Sequence, residues 1–327
     1  MFNVEDFLPT TLSKFGSVFS AIAIFTVVLG TIFFIAGKFN GKKSKYIAIA
    51  VFVSPALILL SAGLVIPAVR TVMFSFMDAD SLNFIGFDNY TWMFKDPNVA
   101  IIMRNTILWL LVTPLFTTAL GLLLAVMLDR IKRESIPKSL LFMPMAISFV
   151  GASIIWKFVY EFREGDVQIG LLNAIWTFFG GEPVNWMLSK PINTFLLMII
   201  LVWTQMGFAM VILSAAIKAV PADVVEASAL DGAYGFKLFR NITFPMVKTT
   251  VIVVLATQVV GALKLFDIVR TMTGGNFGTN VLANEMYSQV FVQFDQGKGS
   301  ALAVVLFICV TPILIYNIRS IRRERAH

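Results

Sequence analysis

Cysteine and histidine are almost missing from this chain of 327 residues: Cys309 and His327 are the only ones. One cysteine excludes an internal disulfide, and one of each excludes a His/Cys metal centre, so thiol redox and zinc chemistry are set aside. Charge is scarce as well, at 14% of residues against 58% hydrophobic. A water-soluble domain of this length has no way to cover that much apolar surface. No Gly-x-x-x-x-Gly-Lys-Ser/Thr phosphate loop occurs, so any ATP hydrolysis belongs to a separate chain. The apolar stretches hold no histidine or cysteine constellation for an acid–base pair or a metal, which argues against a membrane-embedded enzyme.

What the chain has instead is long apolar runs, the mark of an all-α integral membrane protein. Nearly charge-free stretches cover 15–37, 46–69, 105–128, 139–156, 191–217 and 300–318, and a shorter one, 249–268, carries Lys264 and Asp267 near its far end. The expectation is seven transmembrane helices: an N-terminal extra helix with a basic loop in 1–45, then a six-helix core in 46–327. The net charge of +7 does not point to nucleic acid, because Lys and Arg sit in short clusters between the runs. Placing the C-terminus in the cytoplasm and the N-terminus outside puts sixteen of the 26 basic residues inside, including Lys42, Arg133, Lys237 and Arg322. The first ten residues carry Glu5 and Asp6 without a basic residue, and the first run is too long for a signal-peptide core, so it is expected to be retained. In the loop 161–190, Ile169, Leu172, Ile175, Trp176 and Phe179 recur at helical spacing. That pattern fits a helix in the membrane interface or one packed on the protein's own spans.

The stretch 221–245 differs in kind from the other loops. Pro221 fits a first helical position, Asp223 favours a helix N-terminus, and Asp231 with Gly232 supplies a stop. Gly235 frees a second turn, after which Phe236 to Ile242 is predicted to wind a short helix closed by Pro245. Such a helix-turn-helix between two spans suits docking in a groove of a partner, and equally suits a loop folded against its own protein.

The same stretch resembles the EAA motif of importer permeases: Glu-Ala-Ala, three residues, Gly, nine residues, Ile, one residue, Leu-Pro. Glu226, Ala227, Gly232, Ile242 and Pro245 stand at matching positions, with Ser228 for the second Ala and Phe244 for Leu. The chain thus resembles the permease subunit of a binding-protein-dependent ABC importer. In that family the motif forms a coupling helix in a cleft of the ATPase subunit, which implies ATPase coupling by Glu226, Ala227, Ser228, Asp231, Gly232, Ile242 and Pro245. Further likeness favours the sugar branch, of maltose or α-glucoside type: Phe84 to Gly86, Asn89, Tyr90, Asn105, Thr106, Gly170, Asn173, Thr273 to Gly275 and Tyr287 match its pattern. The chain departs from the maltose permease in having one extra N-terminal span and no room for a large outside domain.

The resemblance implies a non-catalytic subunit in a bacterial inner membrane that binds no cofactor itself. ATP and Mg belong to two copies of a partner ATPase. A second permease, an extracytoplasmic sugar-binding protein and membrane lipid complete the partners. The rival expectation, a stand-alone secondary transporter of a small polar solute, normally brings related halves and buried carboxylates, and neither is evident. Trp203, Gln205 and Gln258 are candidates to line a sugar path, because such a path needs hydrogen-bonding groups and aromatic faces. The same residue types also serve helix-to-helix hydrogen bonding. Lys264 and Asp267, three residues apart, are candidates for an outer gate or for snorkelling to the interface.

Overall fold

The computed structural model describes residues 4–37, 44–129, 131–165, 167–262 and 265–324. Among them there is no strand, only an isolated bridge between Met77 and Phe84. The chain divides into two compact units, Met1–Arg70 and Thr71–His327.

The first unit is built from α1, Val4–Gly37, and α2, Ser44–Leu60. Neither candidate span here, Lys14–Thr31 nor Ile49–Phe74, buries any of its residues within the protein. Phe33 and Phe52 meet edge to face at 5.3 Å. Helices that are apolar all round and unburied suit hydrocarbon and no other solvent. A π turn, Ser61–Val65, joins α2 to α3, Ile66–Phe74, and the Ile66 N–H reaches back to Ser61. Pro67, which has no N–H and whose ring crowds the preceding turn, follows directly.

The second unit continues through α4, Asp88–Lys95, α5, Pro97–Leu128, α6, Ser135–Phe142, α7, Phe149–Val159, α8, Leu171–Phe178, and α9, Ile192–Lys218. It closes with α10, Ala222–Leu230, α11, Gly235–Leu238, α12, Phe244–Ala262, α13, Phe266–Met272, α14, Leu282–Phe291, and α15, Gln296–Glu324. The centre is the pair α5 and α9, against which α12 packs. Apolar contact alone gives helices no reason to associate in lipid, so close backbone approach matters. A Cβ on Gly121 of α5 would lie 2.6 Å from the Ala209 Cβ, and one on Gly207 of α9 would run into the Leu141 carbonyl of α6. Trp109 is fully buried in the cluster that α5, α7, α9 and α13 share.

Two expectations need correction. The stretch 139–156 is not one straight span: Ser135–Ala146 and Phe149–Val159 are bent by 104°. Ile147 is extended, and the Ser148 hydroxyl accepts the Gly151 N–H at 3.1 Å, so a new helix is capped where a continuous one was expected. The stretch 249–268 is also not one helix: the described helical run begins further back, at Gly235, and reaches Ala262, Leu265 is a turn residue, and α13 is a separate helix. Five helices among the described residues are long and apolar enough to cross a bilayer, or six with the bent pair counted as one. The seventh expected span lies in α15, whose described apolar part is Gln296–Pro312.

Candidate functional site

The segment 221–245 sits between the two spans α9 and α12. Pro221 is the residue before α10 and lies outside the helix, while Asp223 is in its first turn. The stop comes as predicted, with Gly232 at φ +74°. The Ala233 N–H donates to the Ser228 carbonyl at 2.9 Å and the Gly232 N–H to the Ala229 carbonyl at 3.0 Å, the paired bonds of a Schellman ending. Ala233 is buried, as the apolar residue after such a turn usually is. The Ser228 hydroxyl, also buried, turns back to the Val224 carbonyl at 2.6 Å, which gives the departure from Ala a structural use.

Pro245 does not close a separate second helix, contrary to expectation. A π turn, Phe239–Thr243, carries α11 into α12, and the Phe244 N–H bonds to the Phe239 carbonyl. This wider turn removes the usual four-residue bond just where Pro245 has no N–H to give, so the helix passes through the proline unbroken. The segment is therefore one short helix, a tight turn, and a second helix continuous with a span.

Its surface is unusual for a connecting segment. Glu226, Ala227, Asp231 and Gly232 are exposed, and the Glu226 side chain has no hydrogen bond or ion pair among the described residues. Leu230 is 92% exposed and Phe236 is 74% exposed. Among the described residues, chain neighbours aside, no atom lies within 4 Å of where a Gly232 Cβ would sit, so space around this turn is left open. Ile242 is half-buried in the π turn.

A polar cluster missed by the sequence reading braces the stem of this segment. Glu134 accepts from Lys138 at 2.7 Å and from Lys218, whose ammonium also stands 4.0 Å from Asp129. Lys138 further donates to the buried Ser214 hydroxyl at 2.5 Å. The hydrogen bond from Lys138, then that from Lys218, hold the Glu134 carboxyl below the ordinary glutamate range. A lowered carboxyl contributes stability above its unfolded value and loses it as pH falls through the folded one, so the cluster is intact at neutral pH. Glu134 and Lys138 are readable as a helical pair, but Lys218 lies 84 residues from Glu134 and no local pattern announces it.

The opposite end of the unit is tied together by the residues that carried the wider resemblance. The Asn105 amide donates to the carbonyls of Gly278 at 2.7 Å and Asn280 at 3.0 Å, and the Thr106 hydroxyl accepts from the Leu282 N–H at 2.9 Å. Asn89 donates to the Ser75 and Met77 carbonyls, and Tyr90 to the Ser75 hydroxyl. Asn173, fully buried, donates to Glu161 and Val184 and accepts from the Val184 N–H and the Trp186 indole. Exchanging Asn173 for alanine strands these groups and is expected to cost about 2 kcal/mol, read as a lower unfolding temperature in detergent.

Of the three candidate path residues, one lines a described cleft. Trp203 meets Trp156 edge to face at 5.8 Å and lines a cleft of about 520 Å³ with Val112, Phe116, Phe195 and Met206, nearly all apolar. Gln205 is half-buried and Gln258 is buried on α12, and neither lines that cleft. Asp267 is in the first turn of α13, while Lys264 lies outside the described residues. Among the described residues no group of His, Cys, Asp and Glu is arranged to hold a metal ion.

Residues 99–323 match the family described as the binding-protein-dependent transport system inner membrane component. The chain is 48% identical over 274 residues to the osmoprotective compounds uptake permease protein of Synechocystis sp., covering 84% of this chain and 98% of that one. It is 44% identical to the alpha-glucoside transport system permease protein of Rhizobium meliloti, covering 98% and 99%. Among solved structures it resembles a chain of a bacterial alginate ABC transporter in complex with alginate pentasaccharide-bound periplasmic protein, with a TM-score of 0.73, 18% identity, and coverage of 84% and 94%.

Proposed function

Because this chain belongs to the binding-protein-dependent transport system inner membrane components, as a permease subunit, we propose that it carries α-glucosides and that residues 221–245 couple it to ATPase subunits. It is a transport component of a carbohydrate importer rather than a catalyst, and family membership displaces the stand-alone secondary transporter. In this reading the chain crosses the bacterial inner membrane seven times with its C-terminus inside. It pairs with a second permease, two ATPase copies that hold ATP and Mg, and an external sugar-binding protein. Closure of the ATPase pair draws the docked α10 helices together, and the spans switch between two packed arrangements. Trp203, Gln205 and Gln258 line the sugar path, and Lys264 with Asp267 gates its outer end.

The observation that supports coupling most is Leu230, almost wholly exposed on a helix that water would otherwise solvate. A cleft in a partner covers such a side chain. The test is affinity purification of the tagged protein in mild detergent, followed by ATPase assays with candidate α-glucosides and their binding protein. Wild type is expected to retain a soluble ATPase, and Leu230→Asp to lose it. Retention by the variant at the wild-type level sinks the docking assignment, and a different stimulating solute replaces the substrate.

A further inference from the structure

The link between α10 and the spans runs through the last turn of α9. Lys218 ends α9, and the Ala219 and Val220 N–H groups continue its bonding to Ala215 and Ile217, so there is little slack before Pro221. At this turn Glu134 holds Lys218 and Lys138 together, and Lys138 reaches Ser214, one turn earlier in α9. Glu134 is the residue before α6, the first half of the bent span. Higher up, Gly207 of α9 is against the Leu141 and Phe142 backbone of α6. Exposed ion pairs contribute little on average, but here one carboxylate serves two ammonium groups and the Lys138 side chain is only 15% exposed.

We propose that Glu134 is a positioning residue for transport: it fixes α6 to the stem of α10, so that displacement of α10 carries the first half of the bent span along with α9. This rests on α10 being the coupling helix. Without the carboxylate, Lys138 and Lys218 repel each other across the junction, and α9 moves while α6 lags.

The experiment uses the whole importer, co-expressed with its ATPase, second permease and binding protein and reconstituted in vesicles, with sugar uptake measured per ATP hydrolysed. Glu134→Gln is expected to lower that ratio about fivefold, a typical size for coupling between sites, while the ATPase subunits still co-purify and the unfolding temperature holds. Lys218→Gln should act likewise, and the double variant should be no worse than either single one, because both remove the same link. A wild-type ratio in Glu134→Gln overturns the proposal, as do additive losses or a fall explained wholly by lost folded protein. Gly232→Val separates the two readings. If it uncouples uptake while Glu134→Gln does not, only the positioning role fails; if Gly232→Val leaves the ratio unchanged, the coupling assignment fails first.

Discussion

Gly207→Val is expected to disrupt the junction of α6 and α9 and to yield little assembled protein. Any Cβ at this position lies against the Leu141 carbonyl and within 2.7 Å of the Phe142 Cα, and both are backbone atoms that no rotamer change can move aside. Valine adds two methyl groups in the same space. Relief requires α6 to move off α9, which also pulls Lys138 from Ser214 and Glu134 from Lys218. Overpacking of this kind costs about 3 kcal/mol, and in lipid there is no gain from hydrophobic association to offset it. The measurement is the fraction of monodisperse protein by size-exclusion chromatography and its unfolding temperature in detergent. Normal yield and stability would mean that the helices are not in backbone contact here. Gly261 of α12 has open space around its Cβ position and serves as the control expected to tolerate alanine.

The second large effect falls on Gly232. Its φ of +74° is disfavoured for any L-residue, and most of all for a β-branched one. Valine there strains the Schellman turn that ends α10, so the bonds from Gly232 and Ala233 lengthen and the helix unwinds from its last turn. The open space around the position means that this chain's own packing does not suffer. The variant is thus expected to fold and to insert normally, while uptake falls on the order of tenfold, equivalent to a loss of about 1.4 kcal/mol. Gly232→Asn, a residue that tolerates the left-handed region, should retain more uptake than valine. Equal loss in both variants would point to contact with the partner at this position rather than to backbone conformation.

How far these sites were legible depends on the range of the interaction. The Gly232 stop was readable because a glycine after Asp231 at the end of a short helical stretch is a local signal, and the bonds involved span five residues or fewer. The Pro245 reading failed for the opposite reason: proline predicts a break only if the regular four-residue ladder is kept, and the π turn of Phe239–Thr243 abandons it. The bend in 135–159 was hidden because its two halves form one apolar run, and hydropathy is blind to direction. Asn89, Asn105 and Asn173 were recognisable as a pattern, but that they tie loops together became visible only with their carbonyl partners in place.

By itself the sequence determined the solvent, the helical class and the helix stop at Gly232, because apolar run length, charge clusters and turn residues act over one or two helical turns. The tertiary structure alone decided which glycines are crossing points, where an apolar run bends, and that Glu134 and Lys218 meet across 84 residues. Those outcomes arise from distances between helices, which chain-local propensities do not encode.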